Sequence, residues 1–437
     1  TAATPSCSAH PIWPLVSRIF AELVRALLLM LIISQSTSAI KACGTNLLRY
    51  SPIGRLSQTH RSMATEAEIK QPLYFVPDPS LYDEEVIFTD NGHTSSITLN
   101  RPKSLNSLSA NMIESIYKKI QDNESSSGIF HTVMRSGSKW FCAGGDVKAL
   151  CLKKQDGDDL PSYAKKFFRC EYSLNHFIAG MKSNYIAIMD GVTMGGGVGI
   201  SLPGRFRIAT ENTQWAMPET AIGLFPDVGA SFYLSRLPGQ LGMYLALTGA
   251  ILKGADAVHA GVATHYVPSH LINKVLDRIH EVNYDPDSVN SAINERAVNP
   301  AASEGFVASL PIIAECFSKG SVEEILASLE QSNTEFGRAV LQKLLKMSPL
   351  SLKITFKEIR AGRGLSIEQC FQMEYRLVCR CIDGHDFYEG VRAALIDKDR
   401  NPKWEHKSVA EVPDSLVNAY FRPVEDELIL KPMKSNL

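Results

Sequence analysis

Three short stretches of the chain carry residue types suited to acyl chemistry. Two are glycine turns, Phe141-Cys142-Ala143-Gly144-Gly145-Asp146 and Met194-Gly195-Gly196-Gly197. A backbone N–H left unpaired where such a turn starts a helix points at any oxygen brought to it. Two such donors converging on one thioester or ester carbonyl make an oxyanion hole, each donor worth about 2.7–4 kcal/mol in the transition state. Glycine suits both places because the backbone must approach closely and can need positive φ. The plainer alternative is two tight turns that pack a helix against a sheet. The third stretch is Met217-Pro218-Glu219-Thr220-Ala221-Ile222-Gly223-Leu224-Phe225-Pro226-Asp227-Val228-Gly229, where two carboxylates stand eight residues apart in apolar surroundings. Acids there are costly unless paired or hydrogen-bonded, so each is a candidate nucleophile or general base. Their plainer alternative is helix capping, since Asp227 precedes a helix-like run and Glu219 precedes Ala221-Ile222.

The elements that must position these residues can be read from periodicity. Glu85 to Thr89 and Ser96 to Asn100 predict strands joined by a turn at Asp90-Asn91-Gly92. Ser109 is a predicted N-cap for a helix with apolar positions Met112, Ile113, Ile116, Tyr117 and Ile120. Further strands are expected at Ile129 to Met134, Tyr185 to Met189 and Arg205 to Ala209, with a helical stretch over about 160–180. From residue 269 the texture changes to helical spacing at 271–282, 322–329, 336–345, 350–359 and 367–378. The expected organisation is an N-terminal extension over 1–70, an α/β core over 71–268 and an α-helical region over 269–437.

Composition narrows the function classes. Among 437 residues, 45% are hydrophobic and 21% charged, as in a globular protein. The formal net charge of −1 gives no basic field for nucleic acid and no acidic bulk for disorder. Residues 1–62 carry six basic residues and one acid, a net of +5, so the rest carries −6. Nine scattered cysteines fit buried thiols in a reducing compartment, and Cys379-x-Cys381 alone cannot build a zinc site. There is no phosphate-binding Gly-x-x-x-x-Gly-Lys, no Gly-x-Ser-x-Gly elbow and no His-Glu-x-x-His. The Gly195–Gly199 run lacks a dinucleotide fingerprint because Ile200 and Leu202 fill the required glycine places.

Together these features resemble the crotonase (enoyl-CoA hydratase/isomerase) superfamily. Ile97-Thr98-Leu99-Asn100-Arg101-Pro102 and Leu105-Asn106-Ser107-Leu108-Ser109 resemble its opening signature. On that pattern Gly145 and Gly196 match the two oxyanion-hole amides, and Glu219 matches one hydratase glutamate. The position of the other hydratase glutamate is Gly199, whereas Asp227 stands where hydratases carry glycine. That exchange is similar to the 3-hydroxyisobutyryl-CoA hydrolase branch. The whole 217–229 motif, Cys170-Glu171-Tyr172-Ser173-Leu174-Asn175, and Asp386 to Asp399 followed by Pro402-Lys403-Trp404 match that branch. One departure is Ala230-Ser231, where Gly-Gly is more usual.

The resemblance implies a spiral of ββα turns (the ClpP/crotonase fold) with a helical C-terminal region, hydrolysing a short 3-hydroxyacyl-CoA. Gly145 and Gly196 would polarise the thioester carbonyl. Glu219 would attack it or activate water. Asp227 would orient the water or the 3-hydroxyl and help proton transfer, and Glu171 would line the substrate pocket. No metal and no cofactor is expected, since coenzyme A is part of the substrate. No nucleic acid and no membrane span is expected, and a homo-oligomer is left open. The rivals are a hydratase or isomerase of the same superfamily and a structural component of the mitochondrial small ribosomal subunit. The Ser- and Arg-rich, acid-poor N-terminal segment has the makeup of a mitochondrial presequence, implying the matrix. Its uncharged stretch Ala26 to Ile40 is shorter than the ~20 residues of a membrane span; a secretory signal and an internal start at Met63 are the competing readings. Ser435-Asn436-Leu437 loosely resembles a peroxisomal address.

Overall fold

The computed structural model describes residues 85–155 and 160–433. The address-like segment 1–70, Cys7, Cys43 and the Ser435-Asn436-Leu437 end lie outside the described residues. The predicted hairpin forms from β1 (Val86–Asn91) and β2 (Thr94–Leu99), paired antiparallel. Its turn falls at Gly92-His93, later than expected because the ladder runs on to Asn91 opposite Thr94. Gly92 takes φ +57°, a conformation glycine adopts without strain. Helix α1 (Ala110–Ser125) starts where predicted, with the Ser109 hydroxyl accepting the Met112 N–H at 3.1 Å.

Parallel pairing then extends the sheet through β3 (His131–Ser136), β5 (Asn184–Met189), β7 (Phe206–Ala209) and β10 (His265–Tyr266), in the order β1-β2-β3-β5-β7-β10. Strand β5 is buried along its whole length, as a central parallel strand covered on both faces must be. Its side chains alternate between two apolar clusters. Ile186 and Ile188 pack with Val275, Leu276 and Ile279, while Tyr185, Ala187 and Met189 face the main core.

A second sheet, in the order β4-β6-β8-β9, consists of β4 (Trp140–Cys142), β6 (Val192–Met194), β8 (Gln214–Ala216) and β9 (Leu252–Lys253). β4, β6 and β8 follow β3, β5 and β7 in the chain after short turns, so the path repeatedly steps from the long sheet to the short one. After β4 come α2 (Val147–Gln155) and α3 (Leu160–Ala179), and after β6 comes the single turn α4 (Gly196–Gly199). This is the expected ββα spiral. The short strands were not predicted, because two or three residues show no alternation to read.

The C-terminal helices agree with the periodic reading at Ile272–Glu281, Val322–Gln331, Glu335–Leu344, Pro349–Gly362 and Ile367–Asp383. Helices Pro286–Asn294 and Glu304–Cys316 were not predicted, nor was Leu241–Thr248, which is buried nearly all round and so has no amphipathic face. Ser303, Ser321, Thr334, Ser348 and Ser366 each cap a helix by accepting a backbone N–H, and Ser366 with Gln369 completes a capping box. One apolar core runs from Val86 in β1 to Leu428, so the C-terminal helices share it with the sheet. The seven described cysteines are buried and unbridged.

Candidate active site

The first glycine turn is built by the opening signature. Asn106 is fully buried at φ +55°. Its Nδ2 donates to the carbonyls of Trp140 (2.7 Å) and Phe141 (3.2 Å), and its Oδ1 accepts the Arg101 N–H at 2.7 Å. This lays residues 105–108 along the turn. Leu108 then donates to the Gly144 carbonyl at 2.8 Å and accepts the Asp146 N–H at 2.9 Å. Successive peptide groups along an extended chain face opposite sides, so the Gly145 N–H is turned away from Leu108. Asp146 closes the turn by capping α2 through the Ala149 N–H (3.1 Å) and pairing with Arg101 at 2.7 Å.

The second glycine turn places Gly196 at the first position of α4, behind Gly195 at φ +49°. The N–H groups at a helix start lack intrahelical partners. Among the described residues, neither the Gly145 nor the Gly196 N–H has an acceptor. A Cβ at Gly196 would lie 3.0 Å from the Gly145 nitrogen, so the two amides flank one small space. The same Cβ would lie 2.4 Å from Glu171 Oε1, which places that carboxyl over the amide pair.

Glu219 and Asp227 come from turns, and neither caps a helix. Glu219 opens the 3₁₀ turn Glu219–Ile222, which ends at Gly223 in the left-handed region (φ +71°). The C-terminal signature presses on this turn. A Cβ at Gly223 would lie 2.0 Å from the Asp386 carbonyl oxygen, and one at Gly390 would lie 2.3 Å from the Ile222 carbonyl carbon. Asp386 itself is buried and accepts the Ser348 hydroxyl (2.6 Å) and the Glu405 N–H (2.9 Å). Asp227 accepts the Tyr172 hydroxyl at 2.8 Å, and the helix that follows it is capped by Gly229.

Gly145, Gly196, Glu171, Glu219 and Asp227 all line one cavity of about 640 Å³. The three carboxyls are at most 5% exposed, so burial raises all three. Glu171 is pushed well above the usual range by burial and then by Asp227, and Glu219 by burial, Asp227 and Glu171. Asp227 rises only to about 7, because the Tyr172 hydroxyl favours its anion. The trio therefore titrates as a unit, in which the Tyr172 hydroxyl favours negative charge on Asp227. Tyr172→Phe removes the donor that stabilises that charge. The acid limb of any activity that needs the anion is expected to move to higher pH by about one unit. A pH–rate profile checks this, and an unmoved limb contradicts it.

Gly199, the position of the missing acid, is closed. A Cβ there would lie 2.7 Å from Val228 Cβ and 2.9 Å from Asn175 Nδ2. Residue periodicity did not find Tyr172, although it adjoins Glu171, nor the structural role of Asn106. It also did not find three cavity-lining cations, Lys103, Lys148 and Lys398, which have no ion-pair partner among the described residues.

Residues 94–421 match the model of a family described as enoyl-CoA hydratase/isomerase. The mitochondrial 3-hydroxyisobutyryl-CoA hydrolase of Danio rerio is 44% identical over 352 residues, covering 78% of this chain and 90% of that protein. That of Xenopus tropicalis is 45% identical over 358 residues, covering 78% and 89%. Among solved structures, a carnitinyl-CoA dehydratase from Mycobacterium thermoresistibile superposes with a TM-score of 0.73 at 37% identity, covering 79% of this chain and 98% of that one. Fold, motif order and likeness over most of the length agree: the chain belongs to the enoyl-CoA hydratase/isomerase family, in the branch of the 3-hydroxyisobutyryl-CoA hydrolases.

Proposed function

We propose that the protein hydrolyses 3-hydroxyisobutyryl-CoA to the free hydroxy acid and coenzyme A. One observation carries the reading: Glu219 and Asp227 face an amide pair in a single cavity while the Gly199 position has no room for an acid. Adding water across a double bond with two carboxylates needs an acid at that closed position. The remaining set suits attack on a thioester carbonyl.

The thioester oxygen accepts the Gly145 and Gly196 N–H groups, which stabilise the charge that develops on it. Glu171, kept neutral by burial and by the Asp227 charge, is a hydrogen-bond donor beside that oxygen. Glu219 attacks the carbonyl carbon to give a mixed anhydride, or takes a proton from the water that attacks. Asp227, as the anion, takes up the proton that Glu219 must lose before it attacks or acts as base, and passes it to the departing thiolate of coenzyme A. Water opens the anhydride, or is itself the attacking group, so that the hydroxy acid leaves and Glu219 is restored; the scheme needs neither metal nor cofactor. Lys103, Lys148 and Lys398 line the cavity and supply charge for the phosphates of coenzyme A. Relatives are named mitochondrial, and together with the basic N-terminal segment this supports work in the matrix. No helix of the described residues is long and apolar enough to cross a membrane.

A turnover assay with 3-hydroxyisobutyryl-CoA, 3-hydroxypropionyl-CoA and crotonyl-CoA tests the reading. Thiol release from the first, with the second also accepted, and negligible hydration of the third are expected. Rapid hydration of crotonyl-CoA without thioester cleavage overturns it.

A further inference from the structure

Behind Asp227 lies an acid that this chemistry does not use. Glu374, on the C-terminal helix Ile367–Asp383, is fully buried. Its Oε2 accepts the Gly229 N–H at 2.7 Å, and its Oε1 accepts the Ser231 N–H at 3.0 Å and the Ser231 hydroxyl at 2.6 Å. The gripped residues lie two and four places after Asp227. Just after Asp227 the chain is locally unfavourable. Val228 is a β-branched residue at φ +54°, where such side chains are rarely found, and Gly229 follows at φ +90°. Phe371, one turn earlier on the same helix, closes over Gly229, with its Cζ 3.1 Å from where a Cβ would stand. The turn is thus held against its own preference by a helix 145 residues further along the chain. Glu358 on the neighbouring helix Pro349–Gly362 also faces Asp227, but neither of its oxygens has a hydrogen-bond partner among the described residues, so it holds nothing.

We infer that Glu374 is a positioning residue. By gripping Gly229 and Ser231 it fixes the Asp227 carboxyl against the Tyr172 hydroxyl, and it keeps Val228 in the space beside Gly199. The inference rests on the hydrolase reading given above. It also accounts for Ser231, whose hydroxyl is the third donor to Glu374.

Glu374→Gln keeps the size but turns an NH₂ group against one of the N–H donors. Misplacing a reacting group by about 1 Å costs about 100-fold in rate, and that is the expected fall in kcat. KM should stay within about threefold, since the residue does not touch the cavity. Ser231→Ala should lower kcat by about tenfold, and the double variant should be no slower than Glu374→Gln alone, because Ser231 acts through Glu374. The wild-type protein with 3-hydroxyisobutyryl-CoA is the reference. Its failure to turn over refutes the hydrolase reading itself. An active wild type with a folded Glu374→Gln variant of unchanged kcat, or one whose loss lies in KM, overturns the inference. If Glu374→Gln does not fold, Ser231→Ala decides, and an unchanged kcat there overturns the inference.

Discussion

Glu219→Gln is expected to abolish thioester hydrolysis while leaving acyl-CoA binding nearly intact. Glutamine has the shape of glutamate but can neither form the anhydride nor accept a proton from water. Loss of a nucleophile or base of this kind costs about 10⁴-fold or more in kcat. Binding should change little. Glu219 is one of many residues around a cavity of about 640 Å³, and its Oε2 makes no hydrogen bond among the described residues that the substitution would break. The variant should also be at least as stable near neutral pH, because burial and then Asp227 push the Glu219 carboxyl well above its ordinary range in the folded protein, a cost that an amide does not carry. Single-turnover kinetics with equilibrium binding of the ester separate these effects, and full activity in the variant removes Glu219 from the site. The wild-type protein turned over once in ¹⁸O-labelled water distinguishes the two routes. Label in the Glu219 carboxylate marks an anhydride that water opens at the Glu219 carbonyl, and label confined to the released acid excludes that opening.

What the sequence revealed, and what it concealed, follows from distance along the chain. The 217–229 motif names both carboxylates because they share one continuous segment. The two glycine turns were legible because each is marked locally by consecutive glycines. Tyr172 was not, because its partner Asp227 lies 55 residues away, and nothing in a helical Glu-Tyr pair shows which side chain reaches across. Glu374 was still further from view. In the sequence it is one polar residue in an amphipathic helix, and only packing of that helix against α3 and the turn after Asp227 brings it beneath Gly229. Gly199 illustrates a different limit. Its identity showed that an acid was missing, but only the positions of Val228 and Asn175 show that none would fit. The short strands β4, β6 and β8 were hidden because three residues carry no period. Yet β4 and β6 lead directly into the two glycine turns, so the most functional part of the fold was the least visible in pattern.

Gly196→Ala should separate chemistry from folding. The added methyl group would sit 3.0 Å from the Gly145 nitrogen and 2.4 Å from Glu171 Oε1. The second contact is with the end of a flexible side chain, which can turn into the cavity. The first is with the backbone amide that the thioester oxygen must reach. The methyl therefore occupies the space of the oxyanion itself and blocks both donors together. Removing one such donor costs about 10²–10³-fold, so a fall of at least about 10³-fold in kcat is expected. The unfolding midpoint should drop by no more than about 2–4 °C, the equivalent of roughly 1 kcal/mol in a domain of about 150–250 residues and of somewhat more in a larger one. The neighbouring glycine provides the contrast. A Cβ at Gly197 would lie 2.3 Å from the Cys142 carbonyl oxygen and 3.1 Å from its carbonyl carbon, both backbone atoms of β4. Gly197→Ala must push two elements apart and should fail in stability before it fails in chemistry. A Gly196→Ala protein that melts normally and still hydrolyses at the wild-type rate would show that the thioester oxygen does not bind between these two amides. A protein that melts normally and is inactive places the developing charge there, because the methyl group's nearest neighbours are Glu171 Oε1, the Gly145 nitrogen and the Leu108 side chain, 3.2 Å away.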